Sequence, residues 1–143
     1  MTRPWFPLAI ATATGFTVAI GAQAPASACS CIPQTLAQQY ERPDYVLIGT
    51  VVDMVESSLD GRPMAEVLFM VQRQWKGSPR SQIELTVDTE SASCGLPFFV
   101  EGGSFLLFLT GENTLQTNLC AGNMPFDQSS KELLELDGLA AEK

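Results

Sequence analysis

The amino-acid sequence predicts a mainly β protein, built as a small five-stranded closed barrel of the OB type with two short flanking helices. Five short segments with strand patterns follow one another within about 75 residues, separated by hairpin-like turns. A two-sheet sandwich usually needs about seven strands, which is more than the chain offers. With 143 residues, the chain is the size of one small domain.

The strand patterns are of two kinds. Apolar and polar side chains alternate along residues 82–88, which is typical of a strand with one buried face. Phe105-Leu106-Leu107-Phe108-Leu109 is a short apolar run, which favours a fully buried strand. The five predicted strands are 44–52, 67–75, 82–88, 105–109 and 114–119.

A helix is predicted at each end of this strand region. The first covers 34–42 and is ended by Pro43. It places three apolar residues on one face, namely Ile32, Leu36 and Tyr40. The second begins at a capping box formed by Ser129 and Glu132 and ends at Gly138. A frayed tail, 139–143, is expected to follow.

The composition excludes several classes of function. The chain has no histidine, which removes Ser-His-Asp and Cys-His catalysis and histidine-ligated zinc. It carries 8 basic against 16 acidic residues, a net charge of −8. Such a surface repels phosphate backbones, so nucleic acid is not an expected partner.

Residues 1–28 have the pattern of a secretory signal peptide. Arg3 gives a positive start, 5–20 are uncharged and mostly apolar, and the segment ends in Ala26-Ser27-Ala28. Small residues at these positions predict cleavage before Cys29 and export to the extracellular space or periplasm. The alternatives are a membrane anchor, for which the apolar run is short, and a lipoprotein attached through Cys29. Lipidation would leave three cysteines, an odd number for an oxidising compartment.

After this cleavage, the predicted domain is 29–138, and all four cysteines remain: Cys29, Cys31, Cys94 and Cys120. The cleaved chain has seven basic and sixteen acidic residues, a net charge of −9, because Arg3 is the one charged residue of the leader. A bridge between Cys29 and Cys31 would close a strained loop. We therefore expect both to be joined to Cys94 and Cys120, although a four-cysteine zinc site without CxxC spacing is the alternative.

Bridges at this position would fix the first residue of the cleaved chain, whereas chain termini normally fray. The free α-amino group of such a residue has an ordinary pKa of about 7.7–8.0. It can therefore lose its proton to a metal near neutral pH at little cost.

Five motifs, in order and with suitable spacing, resemble the tissue inhibitors of metalloproteinases, a family within the netrin-like group of OB-fold modules. The first is an N-terminal Cys-x-Cys-x-Pro, placed here at the predicted cleavage site. The resemblance covers about residues 29–136. The motifs are Cys29-Ser30-Cys31-Ile32-Pro33, Asp44-Tyr45-Val46 with Ile48, Trp75-Lys76-Gly77, Ser93-Cys94-Gly95 and Leu119-Cys120.

This resemblance implies a secreted inhibitor, not an enzyme, with bridges Cys29–Cys94 and Cys31–Cys120. The α-amino nitrogen and carbonyl oxygen of Cys29 would chelate the catalytic zinc of a metalloproteinase, and the protein would have no cofactor of its own. It further implies an inhibitory ridge made of Cys29, Ser30, Cys31, Ile32, Pro33, Ala92, Ser93 and Cys94. The alternative is a netrin-like binding or adhesion module that inhibits nothing, possibly anchored at the cell surface.

The chain departs from the vertebrate members of that family in three ways. It lacks their third bridge in this domain and their second domain, and so looks like a single-domain, bacterial-type member that is expected to be a monomer. The predicted loop between the first two strands, about 56–62, is short, which argues against a long accessory contact there. Ser30 is small, so it would fill a deep specificity pocket poorly.

Overall fold

The computed structural model describes residues 29–126 and 130–142. The predicted signal peptide, 1–28, and Ser129 of the predicted capping box lie outside the described residues. Within them, neither helix is long and apolar enough to cross a membrane. The elements are α1 Leu36–Glu41, β1 Tyr45–Leu59, β2 Arg62–Lys76, β3 Gln82–Asp88, β4 Ser104–Leu109, β5 Met124–Pro125 and α2 Ser130–Ala141, with short 3₁₀ turns at Ser91–Ser93 and Leu119–Ala121.

The mainly β prediction is confirmed, but the predicted closure of the barrel is not. The strands form one antiparallel sheet in the order β3-β2-β1-β4-β5. No ladder among the described residues joins β3 to β5, so the sheet is open there. β5 is only two residues long, and its Pro125 has no N–H to donate to a ladder, which explains why closure fails at this edge.

The first two strands form a hairpin longer than the sequence predicts. Their pairing continues beyond the predicted ends at 52 and 67, out to Leu59 opposite Arg62. Asp60 and Gly61 both have positive φ values, 52° and 79°, which a two-residue type I′ turn requires. Because most side chains of the outer half of β1 are exposed, that half lacks the apolar pattern that would reveal a strand.

The fifth strand predicted over 114–119 is wrong. That region contributes a single bridge, between Thr110 and Gln116, and then turns at Leu119–Ala121. The turn is favoured because the Asn118 side chain accepts a hydrogen bond from the Cys120 amide at 2.9 Å. The fifth strand of the sheet instead lies at Met124–Pro125.

The first half of β1 and nearly all of β4 are buried on both faces. Alternate residues of β1 enter two apolar clusters: Leu47 lies among the side chains of β2 and β3, whereas Val46 faces the helices. In β4, Leu107 belongs to the first of these clusters and Phe108 to the second. The first cluster fills the concave side of the sheet, and the second attaches α1 and α2 to its outer side.

Helix α1 begins at a capping box, in which the Thr35 hydroxyl accepts the Gln38 amide and the Gln38 side chain accepts the Thr35 amide. Ile32 therefore lies outside the helix and is 83% exposed, contrary to the prediction that it shares the face of Leu36 and Tyr40. At the other end, the Lys76 ammonium donates to the carbonyls of Tyr40 and Glu41, at 3.0 and 2.9 Å.

Helix α2 continues past Gly138 to Ala141, where the sequence predicts a helix end and a frayed tail. Leu136 is fully buried, and Leu139 packs against the same outer cluster, so apolar contact lies on both sides of the glycine. Asp137 also accepts hydrogen bonds from the Trp75 indole, at 2.8 Å, and from Arg73. These contacts hold the last turn in place despite the weak helix propensity of glycine.

Substituting Gly138→Ala should stabilise the protein by about 0.5–1 kcal/mol, because Gly138 is helical and an added Cβ would have no neighbour within 4 Å. Gly61→Ala is the matched control. Its site is equally open, but its φ of +79° should make alanine destabilising. Urea unfolding measures both variants. Destabilisation by Gly138→Ala would show that α2 does not extend through this position.

Candidate functional site

Two disulfides hold the segment before α1 against the sheet. They join Cys29 to Cys94, with Cα atoms 5.6 Å apart, and Cys31 to Cys120, with Cα atoms 5.3 Å apart. This is the pairing that the family resemblance implies. It leaves no free cysteine in the described chain, and it is compatible with an oxidising compartment.

The partner of the first bridge lies in a turn that Asp88 organises from the end of β3. The Asp88 carboxylate accepts the Glu90 amide and the Ser93 hydroxyl, both at 2.7 Å. The hydrogen bond from Ser93 makes the larger contribution and that from the Glu90 amide the next, and together they hold the pKa of Asp88 below its ordinary value. The amide of Gly95 returns to the Glu90 carbonyl at 2.9 Å, which closes the turn.

Backbone geometry at the end of this turn restricts which residues fit. Cys94 has a φ of 66°, in the left-handed region that non-glycine residues seldom adopt. A Cβ on Gly95 would lie 2.4 Å from the Asp88 carbonyl oxygen and 2.7 Å from that of Glu90. Glycine is therefore required at position 95 by the close approach of the chain, and this turn places the Cys94 sulfur where Cys29 can reach it.

The second bridge is anchored by a polar network around the 119–121 turn. The Asn123 side chain accepts the Phe108 amide at 2.9 Å and donates to the Thr117 hydroxyl at 2.6 Å. Gly122 follows with a φ of 100°. Cys120 is thus held between a buried strand residue and a tight turn, so the attachment of Cys31 is rigid at both ends.

The bridges bring together the two groups of residues predicted for the ridge. Cys29 is half-buried, and the other seven, namely Ser30, Cys31, Ile32, Pro33, Ala92, Ser93 and Cys94, are exposed. We call 29–33 together with 92–94 the N-terminal ridge. Its two parts are joined covalently at Cys29–Cys94, so an approaching surface meets them as one unit.

The Trp75-Lys76-Gly77 motif has a different position and supports α1 and β1 instead. A Cβ on Gly77, whose φ is +98°, would lie 2.2 Å from the Tyr45 ring. The Tyr40 hydroxyl donates to the Trp75 carbonyl at 3.2 Å. The motif therefore fixes the helix that follows the N-terminal ridge and takes no part in the ridge itself.

Sequence reasoning missed three supporting residues of the site: Asp88, Asn118 and Asn123. Each is a short polar side chain beside a turn, which is the one available signal, because Asp and Asn commonly accept nearby backbone N–H groups. The described residues contain no cluster of three or more Cys, Asp or Glu side chains arranged to hold a metal. The ridge presents backbone, the small side chains of Ser30, Ala92 and Ser93, and the apolar side chains of Ile32 and Pro33.

No family model matches the chain, and no curated protein matches it.

Replacing Asp88 by asparagine should destabilise the turn that holds Cys94, and the effect should depend on pH. Because the folded-state pKa of Asp88 is depressed, its contribution is present above the unfolded-state pKa. It is lost as pH falls through the folded-state pKa. The thermal midpoints of the native and Asp88→Asn proteins should differ at about pH 7 and converge near about pH 2.

The matched control is Asp53→Asn, because the Asp53 carboxylate accepts no hydrogen bond among the described residues. Its midpoint should follow that of the native protein across the pH range. If the gap between the native and Asp88→Asn proteins stays the same at low pH, the charged form of Asp88 is not what stabilises the turn.

Proposed function

We propose that the exported chain, cleaved before Cys29, inhibits zinc metalloproteinases by presenting its N-terminal ridge to their active sites. One observation carries this proposal: the Cys29–Cys94 bridge holds the first residue of the cleaved chain beside an exposed turn. A free chain end would lose much conformational entropy on binding. Here the two disulfides already restrict the conformation of the segment before it binds, so less entropy remains to be lost.

In this mechanism the zinc belongs to the target proteinase. Cleavage before Cys29 frees its α-amino group, which with the Cys29 carbonyl oxygen offers two donors on the same residue. Catalytic zinc sites keep one position open for water or substrate, and these donors would displace the water held there. The chain needs no cofactor of its own, and this contribution comes from backbone atoms, so it does not require histidine.

The exposed side chains of the ridge would lie along the substrate cleft. Ser30 would enter the pocket that takes the residue after the scissile bond, and Ile32 and Pro33 would continue along the cleft. Ala92 and Ser93 would occupy the other side, next to Cys29. Pro33 restricts φ and carries no N–H, which limits the conformations of the segment between the second bridge and α1.

The fold of the described residues is compatible with a netrin-like member of the OB class. A five-stranded OB barrel can be partly open, and the order β3-β2-β1-β4-β5 leaves one opening, between the two edge strands. We include in the proposal a signal peptide at 1–28, a monomeric state and the membership of the metalloproteinase-inhibitor family that the five motifs suggest.

Adding one alanine before Cys29 should weaken inhibition by at least about 100-fold, because the α-amino group becomes a planar amide that cannot donate to zinc at neutral pH. The assay measures inhibition constants of the purified exported protein against a panel of zinc proteinases, with mass analysis to verify that the native form starts at Cys29. An alanine added after Lys143 is the matched control and should leave inhibition unchanged.

Three results would contradict this function. Equal inhibition by the native and N-terminally extended forms would mean that Cys29 does not bind the zinc. No inhibition by the native form at micromolar concentration would favour the alternative, a binding or adhesion module of the same fold. A lipid on Cys29, visible in the same mass analysis, would modify the α-amino group or the side chain and would contradict the proposed bridge and donor roles together.

A further inference from the structure

A cavity of ≈ 420 Å³ lies beneath the N-terminal segment, on the side facing the body of the protein. Ser30, Cys31 and Ile32 line one side, and Phe108 of β4 and Ala121 of the 119–121 turn line another. The Cys31–Cys120 disulfide connects these two sides. The volume is within the range of about 300–1,000 Å³ that is usual for small-molecule sites.

The segment above the cavity is held at its ends and not along its length. Among the hydrogen bonds of the described residues, none involves residues 30–34. The two bridges and the Thr35 capping box therefore fix the segment, while its backbone between them has no protein partner. A molecule in the cavity would contact this stretch directly.

Arg42 is the one charged residue that lines the cavity, and no carboxylate lines it. Its guanidinium makes no ion pair or hydrogen bond among the described residues. Three other cations are engaged elsewhere: Arg73 with Asp137, Lys76 with the end of α1, and Arg80 with the Glu112 carbonyl. The rest of the lining is mixed, with uncharged polar side chains beside apolar ones and the disulfide. In an acidic protein, an unpaired arginine at such a cavity favours an anion that carries an apolar group.

We propose that this cavity binds a small apolar monocarboxylate of the fatty-acid class. The carboxylate pairs with Arg42, and the chain lies against the Cys31–Cys120 disulfide and Ala121, while Phe108, only 1% exposed, contributes little surface. A second cavity, of ≈ 460 Å³ beside β3, has a different chemistry, because Glu84 lines it and its Arg80 already donates to a backbone carbonyl. The proposal does not depend on metalloproteinase inhibition.

The bound carboxylate fills the space under residues 30–34 and so restricts the motion of the N-terminal ridge. The expected signature is slower amide hydrogen exchange in that segment, with exchange in the β1–β2 hairpin unchanged. This links occupancy of the cavity to the rigidity of the ridge without any change in the sheet.

The test is a titration of the isotope-labelled exported protein by NMR, with octanoate as the probe and octan-1-ol as the uncharged comparison. Octanoate should shift the amide signals of 30–32, 34 and 118–121, with a dissociation constant of roughly millimolar size for so small a ligand. Octan-1-ol should bind about fivefold more weakly, because it lacks the charge that pairs with Arg42.

Arg42→Gln should weaken octanoate binding by about fivefold and leave octan-1-ol binding unchanged. Arg62→Gln removes the same charge at the exposed tip of the hairpin and is the matched control, with no expected effect on either probe. N-acetyl-leucyl-leucine is titrated in parallel as a peptide carboxylate.

Several results would overturn the proposal. They are equal binding of octanoate and octan-1-ol, an equal loss in Arg62→Gln, or amide shifts located outside the cavity walls. Tighter binding of the dipeptide than of octanoate would assign the cavity to a peptide end and not to a fatty carboxylate. Because the titration contains no proteinase, its outcome is separate from that of the inhibition assays.

Discussion

The two-sided burial of β1 is the constraint on which the rest of the structure depends. Val46 and Leu47 are both fully buried, although they point to opposite faces of the sheet. One face builds the concave core with β2 and β3, and the other attaches both helices. A strand buried on both faces permits little change in register, because a shift by one residue would exchange its two sets of side chains. The positions of β4, of the turn after β3 and of both bridge partners follow from that fixed register.

Burial also explains which parts of the fold could be predicted from the sequence. The strand at 82–88 was predictable to the residue, since Ile83, Leu85 and Val87 are buried between exposed polar neighbours. The outer half of the β1–β2 hairpin could not be predicted, because its side chains are mostly exposed and do not alternate between apolar and polar. The false strand at 114–119 has β-branched and apolar residues but only one bridge. Closure of the barrel depends on the length of β5, a tertiary property that local pattern does not encode.

The residues of the candidate site also fall into two groups, those that could be predicted from the sequence and those that could not. Its eight ridge residues could be named from motifs, since cysteine spacing, proline and the Cys-Gly pair are visible along the chain. The groups that hold the ridge could not be, because Asp88, Asn118 and Asn123 act through hydrogen bonds to backbone atoms. Short polar residues beside turns are common, and nothing in their sequence context tells which of them will support a site. The two disulfides are the exception, because a covalent link joins distant residues whose side chains are unmistakable.

Cys29 and Cys31 are two residues apart in an extended segment, so both side chains point towards the body. Ser30 and Ile32, at the intervening positions, are both exposed, Ile32 to 83%, and they also border the cavity. The bridges hold the backbone of the segment close to the two turns that carry Cys94 and Cys120, with Cα separations of 5.6 and 5.3 Å. No ladder among the described residues includes this segment, and residues 30–34 make no backbone hydrogen bond there, so covalent links hold it in place. The exposed ridge and the cavity that borders it are therefore held by the same two disulfides, which begin at the Cys-x-Cys pair.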